Sequence, residues 1–148
     1  MPAATKTDWA TFAQGKLQAA GFRRGGARTA VVEALADQDC AISAFELEDL
    51  LRQHGGGVAR ASIYRALEQL ADLGLLKRLE VCRGTTSYER VEPGGEHHHH
   101  AICADCGKLI PFEDNSLERA IDKVAGRMSF DLAEHDVVLR GRCDRCAG

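Results

Sequence analysis

Residues 97–106 read HHHHAICADC, and a second CxxC pair lies further along the chain. Paired CxxC motifs have the spacing of zinc ligands, and four thiolates close a tetrahedral zinc site that has no open coordination position. Such a site is structural and not catalytic, so the motif predicts a zinc-stapled domain and leaves function to other residues. The four predicted ligands of the structural Zn²⁺ are Cys103, Cys106, Cys143 and Cys146.

Six cysteines can instead form three disulfides in a secreted chain. Residues 1–6, however, lack the apolar core of a signal peptide, and no apolar run approaches membrane-spanning length. Paired CxxC spacing without a secretion signal favours metal thiolates in a reducing compartment. We therefore expect a cytoplasmic protein without a membrane partner.

The composition of the chain changes near residue 92. Residues 1–91 carry 12 basic and 11 acidic side chains, a net charge of +1, whereas residues 92–148 carry 7 and 11, a net charge of −4. The acidic part holds five of the six histidines and four of the six cysteines, which suits cation binding. A Pro-Gly-Gly sequence at 93–95 is typical of a hinge. The predicted order is a first domain, a hinge and a second domain, at 1–91, 92–97 and 98–148.

The first domain is predicted to contain four helices. Apolar side chains at helical spacing indicate the first two, at 9–20 and 27–35. Ser43 has the position of a capping residue at the start of the third helix, and the fourth covers 61–73 with Gly74 as its stop. The third and fourth helices, separated by a short glycine break, have helix-turn-helix order.

Three polar side chains near the start of the fourth helix lie off its apolar face. A hydroxyl, a phenol and a guanidinium can donate to phosphates or base edges, and a helix N-terminus favours phosphate. Strands predicted at 75–81 and 85–91 form a hairpin, so the domain reads as a winged helix. The same helix order also occurs in proteins that bind no nucleic acid. The candidate DNA-binding residues are Ser62, Tyr64 and Arg65.

The second domain is predicted to be a small α/β unit. Strands at 98–102 and 108–112 flank the first CxxC pair, and Asn115 is predicted to cap a helix. A long strand at 130–140 is predicted to bring the second CxxC pair to the first. The predicted fold class is therefore α+β, with a winged helix-turn-helix domain followed by an α/β domain that carries a four-cysteine zinc site.

The histidine run adds a second kind of metal chemistry. Successive side chains of a strand point to opposite faces, so one segment can supply two separate metal sites. Glu118 and His135 are available to complete one of them. The alternative is a tag remnant or a solvated loop. One face carries His98 and His100, and the other carries His97 and His99.

The sequence resembles the ferric uptake regulator (Fur) family of bacterial metal-dependent repressors over nearly its whole length. The resemblance is carried by AGFR at 20–23, AISA at 41–44, SIYRAL at 62–67, YE at 88–89 and the 97–106 segment with the final CxxC. It implies a homodimer with an N-terminal winged helix and a C-terminal α/β dimerisation domain. It also implies repression of metal-uptake genes on double-stranded DNA, and no enzymatic activity.

The resemblance implies three metal sites. The four cysteines match the structural zinc site of the family. A second site lies within the dimerisation domain, and whether it is regulatory or structural stays open. Its ligands would be His97, His99, Glu118 and His135.

The third site, the metal sensor between the domains, is matched in part. His98 and His100 occupy its two histidine positions, and Glu89 falls where the iron-sensing branch has a carboxylate. The expected N-terminal histidine is replaced by Ala41. Its neighbour Cys40 either supplies the missing ligand or is a small buried residue, the usual fate of a free cysteine.

A thiolate from Cys40 favours zinc over ferrous iron or manganese, so we predict a zinc sensor. Against it, the zinc-responsive branch has an acidic or histidine ligand near Lys77 and a cysteine near Val91, and both are absent. Cys82 is a weaker candidate ligand. The glycines at 25–26 replace a helix-capping threonine of the family, which leaves the start of the second helix open.

The predicted mechanism is a shift in population. Metal bound to the sensor would fix the distance between the two recognition helices of a dimer, so that they match the half-sites of a palindromic operator. The regulatory ion is Zn²⁺ or Fe²⁺, and the alternatives are an iron sensor or a peroxide-sensing repressor. A zinc hydrolase is disfavoured because it needs an open site with water and a general base.

Overall fold

The computed structural model describes residues 6–38, 40–80, 84–93 and 98–148. The chain divides into two compact units, Met1–Glu96 and His97–Gly148. Within the described ranges, no helix combines the length and the apolar character needed to cross a membrane.

Four helices surround one apolar core in the first unit, as predicted. In the fourth helix the side chains of Ile63, Leu67 and Leu70 are at most 1% exposed, because residues three and four apart share one face. Trp9 of the first helix is completely buried in the same core. The helices are α1 (Lys6–Ala19), α2 (Gly26–Ala36), α3 (Ala44–Gln53) and α4 (Arg60–Asp72).

The starts of α2 and α3 show two ways to satisfy backbone groups. The hydroxyl of Ser43 accepts the N–H of Glu46 at 3.1 Å, so the predicted cap of α3 is confirmed. No side chain caps α2 from Gly25, whose φ of 123° is a conformation that favours glycine. Instead, the hydroxyl of Thr29 accepts the Gly25 N–H at 2.8 Å. The helix that the sequence left open therefore begins at Gly26.

A three-stranded antiparallel sheet completes the winged helix. Its strands are β1 (Ile42–Ser43), β2 (Leu76–Glu80) and β3 (Thr86–Arg90), in the order β1-β3-β2. The β2–β3 pair is the predicted wing hairpin, with slightly shorter strands than expected. The sequence did not predict β1, because two residues are too few to show alternation; β1 is defined only by its pairing with β3.

The second unit is a three-stranded sheet with two helices. Its central strand is β4 (His99–Cys103); β5 (Leu109–Phe112) pairs with it antiparallel and β6 (Val138–Gly141) pairs with it parallel. Helix α5 (Asn115–Arg127) precedes β6, and the short helix α6 (Asp144–Ala147) follows it. The predicted α/β unit is thus confirmed.

The predicted long strand at 130–140 is wrong. Within residues 130–141, the strand that pairs with β4 is limited to Val138–Gly141, and residues 130–137 form no regular element. Ser129, with a φ of 51°, turns the chain after α5. The side chain of His135 in this stretch bonds to Glu118, so the segment is held by side-chain contacts rather than by a strand ladder.

The predicted cap of α5 is also wrong, by one residue. The carboxylate of Asp114 accepts the N–H of Leu117 at 2.9 Å, and Asn115 is the first residue of the helix. Both residue types are good caps. The extended backbone of Asp114, with φ −150° and ψ 112°, decides between them because the cap position requires non-helical dihedrals.

Candidate metal centres and DNA-binding helix

Four cysteine sulfurs converge at one end of the second unit. β4 ends at Cys103 and the following turn carries Cys106, while α6 is preceded by Cys143 and contains Cys146. Their Sγ atoms all lie within 4.8 Å of one another, and the sulfurs of Cys106 and Cys143 are 3.8 Å apart. Sulfurs bound tetrahedrally at about 2.3 Å from zinc are separated by about 3.8 Å. The donor set therefore fits a four-coordinate zinc ion.

The environment of Cys103 favours its ionised form. The N–H groups of Cys106 and Cys143 donate to Sγ of Cys103 at 3.5 and 3.4 Å, and these bonds lower the pKa of Cys103 to about 6. The sulfurs of Cys143, Cys103 and Cys106 raise the pKa of Cys146 to about 12. Four thiols this close cannot all ionise unless a cation balances their charge. A divalent metal ion would supply that charge.

Arg142 joins the two CxxC segments. Its Nε donates to Asp105 at 2.7 Å, and its Nη2 donates to the carbonyl of Cys146 at 2.5 Å. Asp105 lies within the first CxxC pair, so one guanidinium holds both pairs together. Arg142 is not among the residues predicted from the sequence; an arginine directly before the second pair, with an aspartate inside the first, is the signal that could have indicated it.

A second cluster combines His99 of β4, Glu118 of α5 and His135. One carboxylate oxygen of Glu118 contacts Nε2 of His99, and the other lies 2.6 Å from Nε2 of His135. One ligand atom from each residue lies within 4.8 Å of the others. The hydrogen bond with His99 and, to a smaller extent, that with His135 lower the pKa of Glu118. The fourth predicted ligand, His97, lies outside the described residues.

The ring of His99 is oriented from both sides. The N–H of Val137 donates to its Nδ1 at 3.2 Å, so the ring proton of the neutral imidazole is on Nε2 and faces Glu118. A metal ion at Nε2 would compete with this proton. The cluster can therefore hold a metal through two imidazoles and a carboxylate, or hold a proton in its place.

The two remaining histidines of the run lie together. The ring centroids of His98 and His100 are 4.8 Å apart with an interplanar angle of 62°. His98 directly precedes β4 and His100 lies within it, and side chains two residues apart in an extended segment share a face. Glu89 on β3 and Cys40 before β1 belong to the first unit. That these two residues bind the same sensor metal as His98 and His100 stays a prediction. Cys82 lies outside the described residues.

The predicted DNA-binding side chains lie at the start of α4. Tyr64 is 47% exposed, Arg65 is exposed, and Ser62 is half-buried. The N-cap residue of this helix is Ala59, which makes no side-chain bond to the first turn. The first N–H groups of α4 can therefore serve a phosphate, as helix N-termini do.

Comparison with known proteins agrees with this arrangement. The model of the ferric uptake regulator family matches residues 19–140. The ferric uptake regulation protein of Shigella flexneri is 34% identical over 128 residues, which cover 86% of this chain and 85% of that protein. The structure of the Helicobacter pylori ferric uptake regulator Fur, described as having three functional metal binding sites, gives a TM-score of 0.84 at 26% identity and covers 98% of this chain and 95% of its own.

A zinc uptake regulator solved in complex with zinc and DNA has the same fold. It gives a TM-score of 0.59 at 25% identity, with 97% of this chain and 96% of that chain covered. The N-terminal winged helix and the C-terminal dimerisation domain thus occur in the order found in this group. The chain belongs to the ferric uptake regulator family of metal-responsive transcription regulators.

Proposed function

We propose that this regulator is a zinc-sensing repressor of metal-uptake genes that binds a palindromic operator as a homodimer. The observation that carries the zinc assignment is the chemistry of the candidate sensor ligands. The ring centroids of His98, just before β4, and His100, within β4, are 4.8 Å apart. The family places a histidine at the position of Ala41, and its neighbour here is Cys40, which carries a thiol. Thiolate and imidazole together favour zinc over ferrous iron or manganese.

The proposed sensor combines His98 and His100 of the second unit with Glu89 and Cys40 of the first. A metal ion bound by ligands of both units would restrict the motion of the winged helix about the hinge, which we place at 92–97 between domains at 1–91 and 98–148. Restricting this motion raises the population of dimers whose α4 helices are correctly spaced. The bound zinc ion would hold the ligands of the two units together, and the dimer would set the distance between its two α4 helices.

Two features support the dimeric operator-binding form. The second unit exposes large apolar side chains such as Met128 at 64% and Leu139 at 55%, as expected for a surface that another subunit covers. A homodimer with two-fold symmetry presents two identical α4 helices, and these match two identical half-sites. On each helix, Ser62, Tyr64 and Arg65 are the proposed DNA contacts.

The other metal sites have separate proposed roles. The four cysteines hold a structural Zn²⁺ that stabilises the second unit. The cluster of His99, Glu118 and His135, together with His97, holds a further ion.

An iron-sensing regulator is the second candidate. The carboxylate of Glu89 favours it, because ferrous iron readily accepts oxygen and nitrogen ligands. The 34% identical relative is also named for ferric uptake. A peroxide-sensing repressor would use the same histidines, and iron-catalysed oxidation of their rings distinguishes it.

The test compares metals on the purified protein. DNA fragments selected by the metal-loaded protein provide the operator, and its binding is then titrated separately with Zn²⁺, Fe²⁺ and Mn²⁺. Zinc should activate binding, and Cys40→Ser should weaken the zinc response far more than the other two. Cys82→Ser tests the weaker candidate ligand in the same assay, since it removes the other cysteine outside the CxxC pairs. An unchanged zinc titration in Cys40→Ser would favour the iron sensor.

The histidine pair is tested in the same assay. His98→Ala should abolish metal-activated operator binding, because the sensor loses one of its imidazoles. The dimer and the zinc of the four cysteines should remain intact, since neither depends on His98. Metal activation that persists in His98→Ala would remove this histidine from the sensor.

A further inference from the structure

Glu68 connects the recognition helix α4 to both strands of the wing. The hydroxyl of Tyr88 on β3 donates to Oε1 of Glu68 at 2.8 Å. Nη2 of Arg78 on β2 donates to Oε2 of the same carboxylate at 2.5 Å. Arg78 and Tyr88 are cross-strand partners in the β2–β3 pair. A single carboxylate therefore joins the helix to two adjacent positions of the hairpin.

The contact has one buried and one exposed side. Tyr88 is only 4% exposed, so its hydroxyl approaches Glu68 from within the fold. The side chains of Arg78 and Glu68 are 44% and 50% exposed. The hydrogen bond from Arg78 and, to a smaller extent, that from Tyr88 lower the pKa of Glu68. Glu68 is therefore ionised at neutral pH. A charged acceptor between two donors is a directional contact.

Glu68 lies one helical turn after Tyr64. Residues four apart on a helix are neighbours on its surface, so the ridge that carries Tyr64 continues through Glu68 to Asp72. Arg78 also pairs with Asp72 at 3.3 Å, and one guanidinium thus faces both carboxylates of the ridge. This pairing offsets negative charge that would otherwise repel DNA phosphates near the proposed contact residues.

We propose that Glu68 is a positioning residue for operator recognition. By holding Tyr88 and Arg78, its carboxylate sets the orientation of α4 on the wing, and so the direction from which Tyr64 and Arg65 approach base edges. The inference rests on the proposed DNA-binding role of α4. Glu68 itself has no attraction for DNA, since its charge has the sign of the phosphates.

A positioning role affects selectivity more than stability. Exposed ion pairs contribute little to the free energy of unfolding. A small error in the direction of a base-reading side chain, however, weakens the specific complex and leaves attraction to the backbone unchanged. The quantity to measure is therefore the ratio of the Kd for non-operator DNA to the Kd for operator DNA.

Two variants that keep the net charge test this role. Tyr88→Phe removes only the hydroxyl, and Glu68→Asp shortens the side chain so that its carboxylate no longer reaches both donors. Each should reduce the operator selectivity of the metal-loaded dimer by about three- to ten-fold, the effect of losing one oriented hydrogen bond. The double variant should lose no more than the larger single loss, because both changes break one contact.

The controls separate positioning from general damage. Glu33→Asp makes the same chemical change on α2 and should keep the selectivity of the wild-type protein. In both test variants the salt dependence of binding should be unchanged, because no phosphate contact is lost. The metal content should match that of the wild-type protein, and both variants should stay fully folded at the assay temperature, because losing one hydrogen bond lowers stability only slightly.

Selectivity equal to the wild type in both variants would overturn the positioning role of Glu68. A loss that follows a lowered unfolding midpoint, and disappears on cooling, would overturn it too, since it would show a structural role only. If the wild-type protein itself shows no operator selectivity with any metal, the proposed function fails and this inference fails with it. The two failures are therefore distinguishable.

Discussion

Cys103 accepts hydrogen bonds from two backbone N–H groups, and a pKa of about 6 makes it largely thiolate at neutral pH. The turn that follows β4 creates this environment, because it directs the amide of Cys106 back at the sulfur. Backbone hydrogen bonds are thus the main cause that prepares Cys103 for a cation.

Cys103→Ser should release the zinc of the four-cysteine cluster and loosen the second unit. A closed zinc site contributes directly to folding, and a hydroxyl is a poor substitute for a thiolate. Zinc content and size-exclusion chromatography measure the loss. A Cys103→Ser protein that remains a stable dimer with full zinc content would contradict the structural role.

Tyr64→Phe and Arg65→Ala should weaken operator binding without changing metal content. Both residues are exposed at the start of α4, and neither contributes to the core. Loss of Arg65 should also reduce the salt dependence of binding by about one counterion per subunit. Arg119→Ala on α5 is a charge-matched control. If Tyr64→Phe and Arg65→Ala both bind the operator with wild-type affinity and salt dependence, α4 does not contact DNA through these residues.

At the scale of elements, the sequence predicts what depends on local spacing. All four helices of the first unit follow from their apolar periodicity, and the cap at Ser43 follows from its side chain. The predictions fail where the extent of a strand depends on its pairing with a neighbouring strand. The extent of β6 depends on how much of β4 is available beside it, and β1 exists only because β3 lies next to it.

The cap of α5 offers a direct test of one such failure. Asp114→Ala should destabilise the second unit by about 1 kcal/mol, the usual effect of losing a side-chain cap. Asn115→Ala, at the position that the sequence favoured, should have a much smaller effect because Asn115 already lies inside the helix. Urea unfolding of the metal-loaded proteins measures both. Equal effects, or a larger one for Asn115→Ala, would contradict the observed cap.

At the scale of the whole molecule, the two units have different sources of stability. The first has a continuous apolar core that includes Trp9, Leu47 and Leu67. Among the apolar residues of the second unit, only Ile102, Cys103, Ala125 and Cys143 are buried. An apolar core this small needs additional cross-links, and metal ions at the cysteine and histidine clusters would provide them.

Metal removal should therefore unfold the units unequally. A strong zinc chelator should expose the second unit to proteolysis, while the first unit keeps its helices because its core contains no proposed metal ligand. Circular dichroism measures the helix content that the first unit keeps, and limited proteolysis with mass spectrometry shows which unit is cleaved. Re-added zinc should restore the protection. Unfolding of both units together, or resistance of both units to the protease after chelation, would contradict this division.

The same division explains which site residues the sequence could indicate. Cysteines and histidines are recognisable from their type and spacing, so the four-cysteine cluster and the shared face of His98 and His100 could be predicted before the fold was known. Arg142 and Glu68 are ordinary surface residue types. Their roles depend on partners 37 and 20 residues away in sequence, Asp105 and Tyr88. Only the folded chain brings these pairs together.

Trp9 is the single tryptophan of the chain, and its position gives the protein an intrinsic fluorophore. The buried indole donates from Nε1 to the carbonyl of Val91 at 3.1 Å, and the guanidinium of Arg90 lies 5.7 Å from the ring centroid. Both partners belong to the last residues of the wing before the proposed hinge. Indole emission responds to a nearby charge and to its own hydrogen bond, so any displacement of this segment changes the emitted light. Stopped-flow fluorimetry of the unlabelled protein can therefore time the arrival of a metal signal at the winged helix, separately from DNA binding.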